Sequence, residues 1–366
     1  MKKAQLVLED GSRFEGFSFG SSRENDGEVV FNTGMVGYNE SLTDPSYSGQ
    51  ILVFTYPLIG NYGVPGDKKI QGISTVFESS RAHVRGLIVS QYCQNYSHWK
   101  AKSSLGDFLK SQKIPAITGI DTRALTKKLR QKGVMLGKIL IKNYGKKFSS
   151  LNFHDPNERD LVKQVCAKKV TGYFGSGSLK NAKTSVKKIL FLDCGAKNNI
   201  FHSFLKYKVQ IIRVPKDYNI KNQDFDGLFI SNGPGDPEKN PQTIKSVKWA
   251  IEKNKPVFGI CLGQQIMGLA AGAKKFKLKY GHRSQNQPCI ELGTNRCYLT
   301  SQNHGFCVDK KSLKKDWEPW FVNANDGTLE GIKHKSQRFF AVQFHPEATP
   351  GPNDTNWLIK KFVDIL

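Results

Sequence analysis

The sequence has no hydrophobic run long enough to span a membrane. Its apolar runs, such as 51–54 and 189–192, have the length of strands, far below the ~20 residues of a membrane helix. The seven cysteines include no Cys-x-x-Cys pair, which disfavours disulfides and structural zinc. No Gly-x-x-x-x-Gly-Lys-Ser/Thr loop is available for a nucleotide phosphate. These absences predict a soluble protein of a reducing compartment, with no membrane partner, no metal and no ATP site of that type.

Acidic residues are scarce relative to basic ones, 31 against 55, and the formal net charge is +24. Such an excess is typical of proteins that bind nucleic acid or a membrane surface. Here it is spread over both halves of the chain and consists mostly of lysine, whereas readers of nucleic acid concentrate charge and favour arginine. We therefore predict a lysine-rich solvated surface and no nucleic-acid partner, with a local basic patch as the alternative.

The 366 residues suffice for about two domains, and the two halves differ in pattern. The first half is rich in strand-like segments, and Asp10-Gly11 is a favoured hairpin turn between two of them. We predict a β-rich domain over 1–150, a polar linker over 151–186 with the boundary near residue 185, and an α/β domain over 187–366. The strands predicted in the first domain are 5–8, 13–17, 28–32 and 50–56, and a helix is predicted to follow Asp121 and to end at Gly133.

Strands and helices alternate in the second half. The predicted strands are 188–193, 209–214, 228–231, 256–260 and 339–344, and the predicted helices are 198–206, 242–253 and 262–271. Helical spacers between strands predict a mostly parallel sheet with helices on both faces. In such a sheet the active site lies beyond the carboxyl ends of the strands, so residues that carry chemistry are expected there.

The strongest chemical signal is Cys261, between a predicted strand and a predicted helix in the pattern Gly-x-Cys-x-Gly. A nucleophile on so sharp a turn needs small neighbours, which Gly259 and Gly263 provide. The amino terminus of the helix favours the thiolate, which is the reactive form. A lone cysteine here would more often be structural, but the glycines together with Gln265 favour a nucleophile.

A cysteine nucleophile needs a base, and His345 is the candidate. It follows the predicted strand 339–344, and Glu347 stands two residues further on, beyond Pro346. That carboxylate could hold the imidazole in its working tautomer. A His-x-Glu pair is more often part of a solvated loop, but the accompanying nucleophile favours a triad of Cys261, His345 and Glu347. The other seven histidines are interpreted as structural or surface residues.

Two further segments give weaker signals. Ser231-Asn-Gly-Pro-Gly-Asp-Pro follows a predicted strand, and its backbone N–H groups, with that of Leu262, could form an oxyanion hole. The alternative is an ordinary Gly/Pro loop. Gln302-Asn-His-Gly-Phe is interpreted as a strand end that could bind the polar groups of a substrate, with a simple β-turn as the alternative.

Together these motifs resemble those of the class I, or triad, glutamine amidotransferases over about residues 187–366. The resemblance extends through the first half to one branch, the small, glutamine-hydrolysing subunits of carbamoyl phosphate synthetases, and so covers essentially the whole chain. Other amidotransferases lack this first domain. The motifs that carry the resemblance are Phe31-Asn-Thr-Gly-Met-Val-Gly-Tyr, Leu42-Thr-Asp-Pro-Ser-Tyr, Tyr56-Pro-Leu-Ile-Gly-Asn, Gly119-Ile-Asp-Thr-Arg and Gly195-Ala-Lys-Asn-Asn-Ile.

The resemblance implies an activity and its residues. Cys261 would attack the side-chain amide of glutamine to give a glutamyl thioester and ammonia, and His345 and Glu347 would complete the triad before water releases glutamate. Ammonia would reach a large partner subunit, in a heterodimer or higher oligomer, where ATP, Mg and bicarbonate give carbamoyl phosphate for arginine and pyrimidine synthesis. This chain would bind no cofactor. Substrate contacts of the family fall on Ser46, Gly233, Gly235, Leu262, Gln265, Asn303, Gly305 and Phe306.

One residue departs from the family pattern, since Gln264 stands where the family usually has histidine. It is not a triad member, so activity is expected to survive. Two alternatives stay open: the glutaminase of another synthase, and a non-catalytic protein of this fold that binds a partner or nucleic acid. The first residues, Met1-Lys-Lys-Ala-Gln-Leu, predict a strand and no targeting segment. A bacterial-type cytoplasm or, for an organelle-encoded chain, a plastid stroma is therefore expected.

Overall fold

A computed structural model describes residues 1–144, 147–176 and 186–366. The chain forms two compact units: the first comprises Met1–Ile70 and Ser74–Arg159, and the second comprises Gln71–Ile73 and Asp160–Leu366. This division lies earlier than the boundary predicted near residue 185, a position outside the described residues. Within the predicted linker 151–186, strand Thr171–Phe174 pairs antiparallel with Val209–Pro215. Part of that segment therefore belongs to the sheet of the second unit.

The first unit is built around a closed β-barrel. The predicted hairpin at Asp10-Gly11 is confirmed, because Lys2–Leu8 pairs antiparallel with Arg13–Ser18. Buried apolar side chains such as Val30 and Leu52 pack with those of the short helices that cover the wall. Around the barrel the strands follow the order Lys2–Leu8, Met135–Leu140, Asn25–Asn32, Gln50–Phe54, Gly86–Ile88, Ala116–Thr118 and Arg13–Ser18.

Helices and short strands complete this part of the chain. The helix predicted after Asp121 is confirmed as Thr122–Lys132, and the Asp121 carboxylate caps it by accepting from the N–H of Ala124 at 2.8 Å. Gly133, with φ 105°, ends it as predicted. The other α-helices described in this unit are Tyr38–Thr43 and Leu105–Ser111, and its short strands are Leu58–Ile59, Val64–Pro65, Lys69–Ile70, Gln91–Tyr92 and Ala101–Ser103. The strand Ile73–Ser74 contains the division between the two units at residue 73.

The described residues of the second unit form one sheet of ten strands. The five strands from Val209–Pro215 to Phe339–Val342 in the order below are parallel, as predicted. The other five pair antiparallel, so the sheet is mixed rather than mostly parallel. The order across the sheet is Thr171–Phe174, Val209–Pro215, Lys187–Asp193, Gly227–Ile230, Val257–Ile260, Phe339–Val342, Leu329–His334, Trp317–Asn323, Lys275–Glu291 and Arg296–Val308.

Helices cover both faces of the parallel strands, as the sequence predicts. Alternate residues of one strand enter different layers, with Leu190 and Leu192 in one apolar cluster and Ile189 and Phe191 in the other. The first cluster includes side chains of the helices Pro241–Glu252 and Leu262–Ala270, and the second includes those of Asn198–Phe204 and Trp357–Asp364. A one-turn helix, Val162–Val165, also contributes to the first cluster. None of the helices in the described ranges is long and apolar enough to cross a membrane.

Candidate active site

Cys261 stands between the parallel strand Val257–Ile260 and the helix Leu262–Ala270, as predicted. Its backbone has φ 54° and ψ −104°, which is strained for a residue with a Cβ. The tightness of the turn requires its glycines: a Cβ on Gly259 would lie 2.6 Å from the carbonyl carbon of Gly263, and one on Gly263 would lie 2.3 Å from the carbonyl oxygen of Ile230. The strand, the turn and the helix therefore fix the position of the Cys261 backbone, from which the thiol projects.

The Cys261 thiol is buried and contacts the antiparallel part of the sheet. Its Sγ lies 3.7 Å from the carbonyl oxygen of Asn303. The Cys261 N–H donates to the carbonyl of Val342 at 2.8 Å. That bond ties the turn to the strand Phe339–Val342, after which His345 follows within three residues. Cysteine and histidine thus come from the ends of adjacent parallel strands.

His345 and Glu347 form a buried pair. The Nδ1 atom of His345 lies 2.7 Å from Oε1 of Glu347, and the backbone N–H of His345 donates to the carbonyl of Ser301 at 2.9 Å. His345 Nε2 has no hydrogen-bond partner within the described parts of the chain. The carboxylate therefore fixes one ring nitrogen and leaves the other for chemistry.

A fourth side chain, the charged Lys197, joins Cys261, His345 and Glu347 in this cluster. Its Nζ lies 3.0 Å from Oε1 of Glu347 and 2.6 Å from the carbonyl oxygen of Ala348, and the residue is only 3% exposed. Burial by itself would raise the pKa of Glu347, but the charges of Lys197 and then His345 lower it to about 2. Burial likewise opposes protonation of His345, yet the Glu347 carboxylate raises the pKa of the imidazole above its usual range. The carboxylate is held ionised.

Sequence reasoning did not single out Lys197, although its motif was among those that carried the family resemblance. The available signal was its position, four residues after the buried strand Lys187–Asp193 and so at the same edge of the sheet as Cys261 and His345. A neighbouring residue, Asn199, donates from Nδ2 to Oγ1 of Thr349 at 2.6 Å and to the carbonyl of Glu347. The loop after Asp193 thus holds the segment that carries the carboxylate.

The glycines of the 231–237 segment have separate surroundings. A Cβ on Gly233 would lie 2.1 Å from the carbonyl oxygen of Cys194 and 2.9 Å from the Leu262 side chain, so Gly233 approaches the first residue of the helix after Cys261. Gly235, with φ 81°, instead faces Leu161. The structure therefore brings Gly233 and Leu262 together and gives Gly235 a different neighbour.

The predicted substrate segment lies inside a strand and is neither a strand end nor a turn. Asn303, Gly305 and Phe306 belong to Arg296–Val308, which pairs antiparallel with Lys275–Glu291. Gln265 reaches this strand from the helix, because its Nε2 donates to the carbonyl of Phe306 at 2.9 Å. The interpretation as a strand end was wrong because a long ribbon continues through the polar residues.

The remaining predicted residues differ in their settings. Ser46 belongs to the first unit, where it lies in the 3-10 turn Pro45–Tyr47 and its N–H donates to Oδ1 of Asp44 at 2.9 Å. Gln264 is fully buried, and neither of its amide atoms has a hydrogen-bond partner among the residues that the structure describes. Roles for Ser46 and Gly235 stay predictions of the resemblance.

Comparison with known protein families gives two matches along the chain. Residues 6–139 match the family described as "Carbamoyl-phosphate synthase small chain, CPSase domain". Residues 190–365 match "Glutamine amidotransferase class-I". The chain belongs to the carbamoyl-phosphate synthase small-chain family.

Individual relatives of the family match nearly the whole chain. The "Multifunctional protein CAD" of Squalus acanthias is 53% identical over 364 residues, which are 99% of this chain and 16% of that protein. The "Multifunctional protein pyr1-3" of Dictyostelium discoideum is 49% identical over 376 residues, which are 99% of this chain and 17% of that protein. The mitochondrial "Carbamoyl-phosphate synthase [ammonia]" of Rattus norvegicus is 44% identical over 367 residues, which are 99% of this chain and 24% of that protein. This small-chain sequence thus spans a quarter or less of each of these relatives.

Proposed function

We propose that this chain hydrolyses glutamine and supplies the ammonia to the synthetase part of a carbamoyl phosphate synthetase. The observation that carries the proposal is the meeting of Cys261, on its strained strand-to-helix turn, with the paired His345 and Glu347 at the end of the adjacent strand. Nucleophile, base and orienting carboxylate are the parts that covalent amide hydrolysis requires. The small-chain family, whose second domain is a class I amidotransferase, supports glutamine as the substrate.

In the first half-reaction His345 takes the proton of the Cys261 thiol, and Sγ forms a bond to the side-chain amide carbon of glutamine. The electron pair of the carbonyl moves to its oxygen. Backbone N–H groups of Gly233 and Leu262 are proposed to stabilise that charge, since Leu262 opens the helix and its N–H has no intrahelical acceptor. His345 then donates the proton to the amide nitrogen, the C–N bond breaks, and ammonia leaves.

In the second half-reaction His345 takes a proton from water, and the water oxygen bonds to the thioester carbon. The C–S bond breaks, and the proton returns to the Cys261 sulfur as glutamate leaves. Glu347 keeps the imidazole oriented through both steps and stabilises the imidazolium, while Lys197 keeps Glu347 ionised. The substrate is proposed to bind to Gln265, Asn303, Gly305 and Phe306.

The ammonia is proposed to be consumed by a synthetase component that binds ATP, Mg and bicarbonate. That component is a separate large subunit or a further part of the same polypeptide, as in the relatives named multifunctional proteins. No cofactor is proposed for this chain itself. A compartment that keeps the Cys261 thiol reduced, such as cytoplasm or plastid stroma, suits the chemistry.

The test is glutamate release by the purified chain, alone and with a carbamoyl phosphate synthetase large subunit plus ATP, Mg and bicarbonate. Slow release that rises several-fold only with the complete system is the expected result. Cys261→Ala is the matched inactive control, and Cys297→Ala, which alters an exposed cysteine, is the active one. Glutamate release that does not change when the large subunit is added would indicate that the chain serves another synthase. No release under any condition would contradict the proposal that the chain is a glutaminase.

A further inference from the structure

Three buried side chains meet in the antiparallel part of the sheet, outside the proposed triad. His282 comes from the strand Lys275–Glu291, His304 from Arg296–Val308, and Glu330 from Leu329–His334. The two histidines are direct cross-strand partners, and each of the three residues is less than a tenth exposed. Their imidazole nitrogens and carboxylate oxygen lie within 4.8 Å of one another.

Both ring nitrogens of His304 face oxygen acceptors. Nδ1 lies 2.9 Å from the carbonyl oxygen of Phe306. Nε2 lies 3.1 Å from Oε1 of Gln302 and 3.7 Å from Oε1 of Glu330. A neutral imidazole carries one N–H only, so it can satisfy one of these sides and leaves a lone pair against oxygen lone pairs on the other.

Hydrogen bonding around Gln302 supports this orientation of its amide. Its Nε2 donates to Oγ1 of Thr300 at 3.1 Å. The Thr300 hydroxyl donates its only hydrogen to the carbonyl of Gln287 at 2.8 Å, so it can only accept from Gln302. The Gln302 oxygen is therefore the atom that faces His304, since turning the amide would move the mismatch to Thr300 by setting two oxygen acceptors against each other there.

His282 has the same excess of acceptors. Its Nδ1 lies 3.1 Å from Oε1 of Glu330, and its Nε2 lies 2.8 Å from Oδ2 of Asp326. The second carboxylate oxygen of Glu330 is buried and has no hydrogen-bond partner in the described ranges. These facing acceptors are matched with donors or a cation only if each histidine carries an additional proton or if one divalent cation lies between them.

One divalent cation answers this need better than two protons. The two imidazole rings have centroids 5.0 Å apart, and two buried imidazolium ions at that separation would repel each other after losing their hydration. A metal ion carries the same charge and bonds to the two ring lone pairs that face Glu330. It also bonds to the carboxylate of Glu330, whose Oε1 lies 3.1 Å from His282 Nδ1 and 3.7 Å from His304 Nε2.

We propose that His282 Nδ1, His304 Nε2 and the Glu330 carboxylate bind a divalent cation, and the donor set of two imidazoles and one carboxylate points to zinc. Tetrahedral zinc with bonds of ~2.0–2.1 Å sets its ligand atoms about 3.3 Å apart. The separations of 3.1 and 3.7 Å from Glu330 Oε1 to the two ring nitrogens lie on either side of that value. Each histidine keeps its other nitrogen as a donor, to Asp326 and to the Phe306 carbonyl, and such contacts orient metal-bound imidazoles.

The ion would connect three strands beneath the carbonyl of Phe306, which also accepts from Gln265 at 2.9 Å. We therefore expect it to stabilise the fold of this region directly. An effect on glutamine affinity rests in addition on the proposed function. Metal content and thermal unfolding do not depend on that function, so they form the primary readout.

The experiment uses the full chain as Cys261→Ser, which removes the thiol as a competing zinc ligand. The protein is stripped with a chelator, exposed to Zn²⁺ alone and passed through a desalting column, after which bound metal and Tm are measured. We expect about one Zn²⁺ per chain and a higher Tm with the ion. Adding Glu330→Gln, an isosteric change, should abolish stoichiometric uptake, whereas His334→Asn on the same strand should leave it intact.

Two results would overturn the proposal. One is a chain that retains no stoichiometric zinc and has the same Tm with and without the ion; the two histidines would then carry protons. The other is zinc uptake that Glu330→Gln leaves unchanged. If Glu330→Gln does not fold, X-ray absorption of the zinc-loaded parent decides, because two imidazoles with oxygen support the site and sulfur or a single imidazole contradicts it.

Discussion

The second unit holds two buried histidine–carboxylate clusters that differ in their place in the sheet. The first joins His345 and Glu347 beyond the ends of parallel strands, beside Cys261 on its turn. The second joins His282, His304 and Glu330 within paired antiparallel strands. Strand ends allow loops to present a nucleophile and a free ring nitrogen, whereas a side chain inside paired strands is flanked by the side chains of the neighbouring strands. The same residue types therefore favour catalysis in one place and structural ion binding in the other.

Removing the nucleophile beside the first cluster should have the largest effect on catalysis. Cys261→Ala should lower kcat for glutamine hydrolysis by about 10⁴-fold, because no thioester can form. Ammonia-dependent synthesis by the assembled enzyme should stay near its normal rate, since the fold keeps its partner contacts. Steady-state glutamate release and ammonia-supported carbamoyl phosphate formation measure the two. Retained glutaminase in this variant would eliminate Cys261 as the nucleophile.

Changes to the paired histidine and carboxylate should rank the members of the first cluster. His345→Asn should cost about 10³-fold in kcat, because the thiol then lacks its base, and Glu347→Gln about 10²-fold, because only orientation and charge are lost. Single-turnover formation of the thioester would separate these effects from product release. Greater loss in Glu347→Gln than in Cys261→Ala would reverse the proposed roles.

How much of the first cluster could be predicted depended on local sequence. Cys261 stands next to the glycines that its turn requires, and Glu347 lies two residues from His345, so both pairings could be inferred from short segments. Lys197 lies 150 residues from Glu347, and only the fold brings them together. The second cluster was also missed, because His282 and His304 were interpreted without their carboxylate partners. Its long ribbon has register shifts between Lys277 and His282 and between Ser284 and Gln287, which break the alternation that predicts strands.

Lys197 gives the first cluster a buried positive charge that the second cluster lacks among its three members. Removing this charge should lower the stability of the protein in acid. Glu347 has a folded-state pKa of about 2, below its ordinary value of 4.5, so its stabilising contribution is present above pH 4.5 and is lost as the pH falls through about 2. Lys197→Met raises that folded-state pKa and should move acid unfolding to higher pH, with a kcat loss of about 10-fold. Circular dichroism against pH measures the shift. Lys248→Met, at an exposed position of the helix Pro241–Glu252, is the control, and equal acid stability in the two variants would contradict the prediction.

The second cluster should respond in stability and metal content far more than in chemistry. Glu330→Gln should leave kcat for glutamine hydrolysis within about 3-fold, since Glu330 touches none of the reacting groups, while its effect on the Phe306 carbonyl should raise KM by a similar factor. Measurement of kcat and KM with and without added Zn²⁺ tests this split. A kcat loss comparable with that of Glu347→Gln would mean that the two clusters are not chemically distinct.

The smallest effect is expected at Gln264, which adjoins Cys261 but pairs with neither cluster. Its side chain is fully buried and both amide atoms lack a protein partner in the described residues, so the amide should cost about 1–3 kcal/mol of stability. Gln264→Leu keeps a similar volume and removes those polar atoms, so the free energy of unfolding should rise by about 1 kcal/mol with kcat unchanged. Urea unfolding measures the change, and Gln265→Leu, which breaks the bonds to Phe306 and Gln343, should destabilise instead. A stability loss in Gln264→Leu would show that ordered water or substrate satisfies this amide, and would bring Gln264 into the environment of the first cluster.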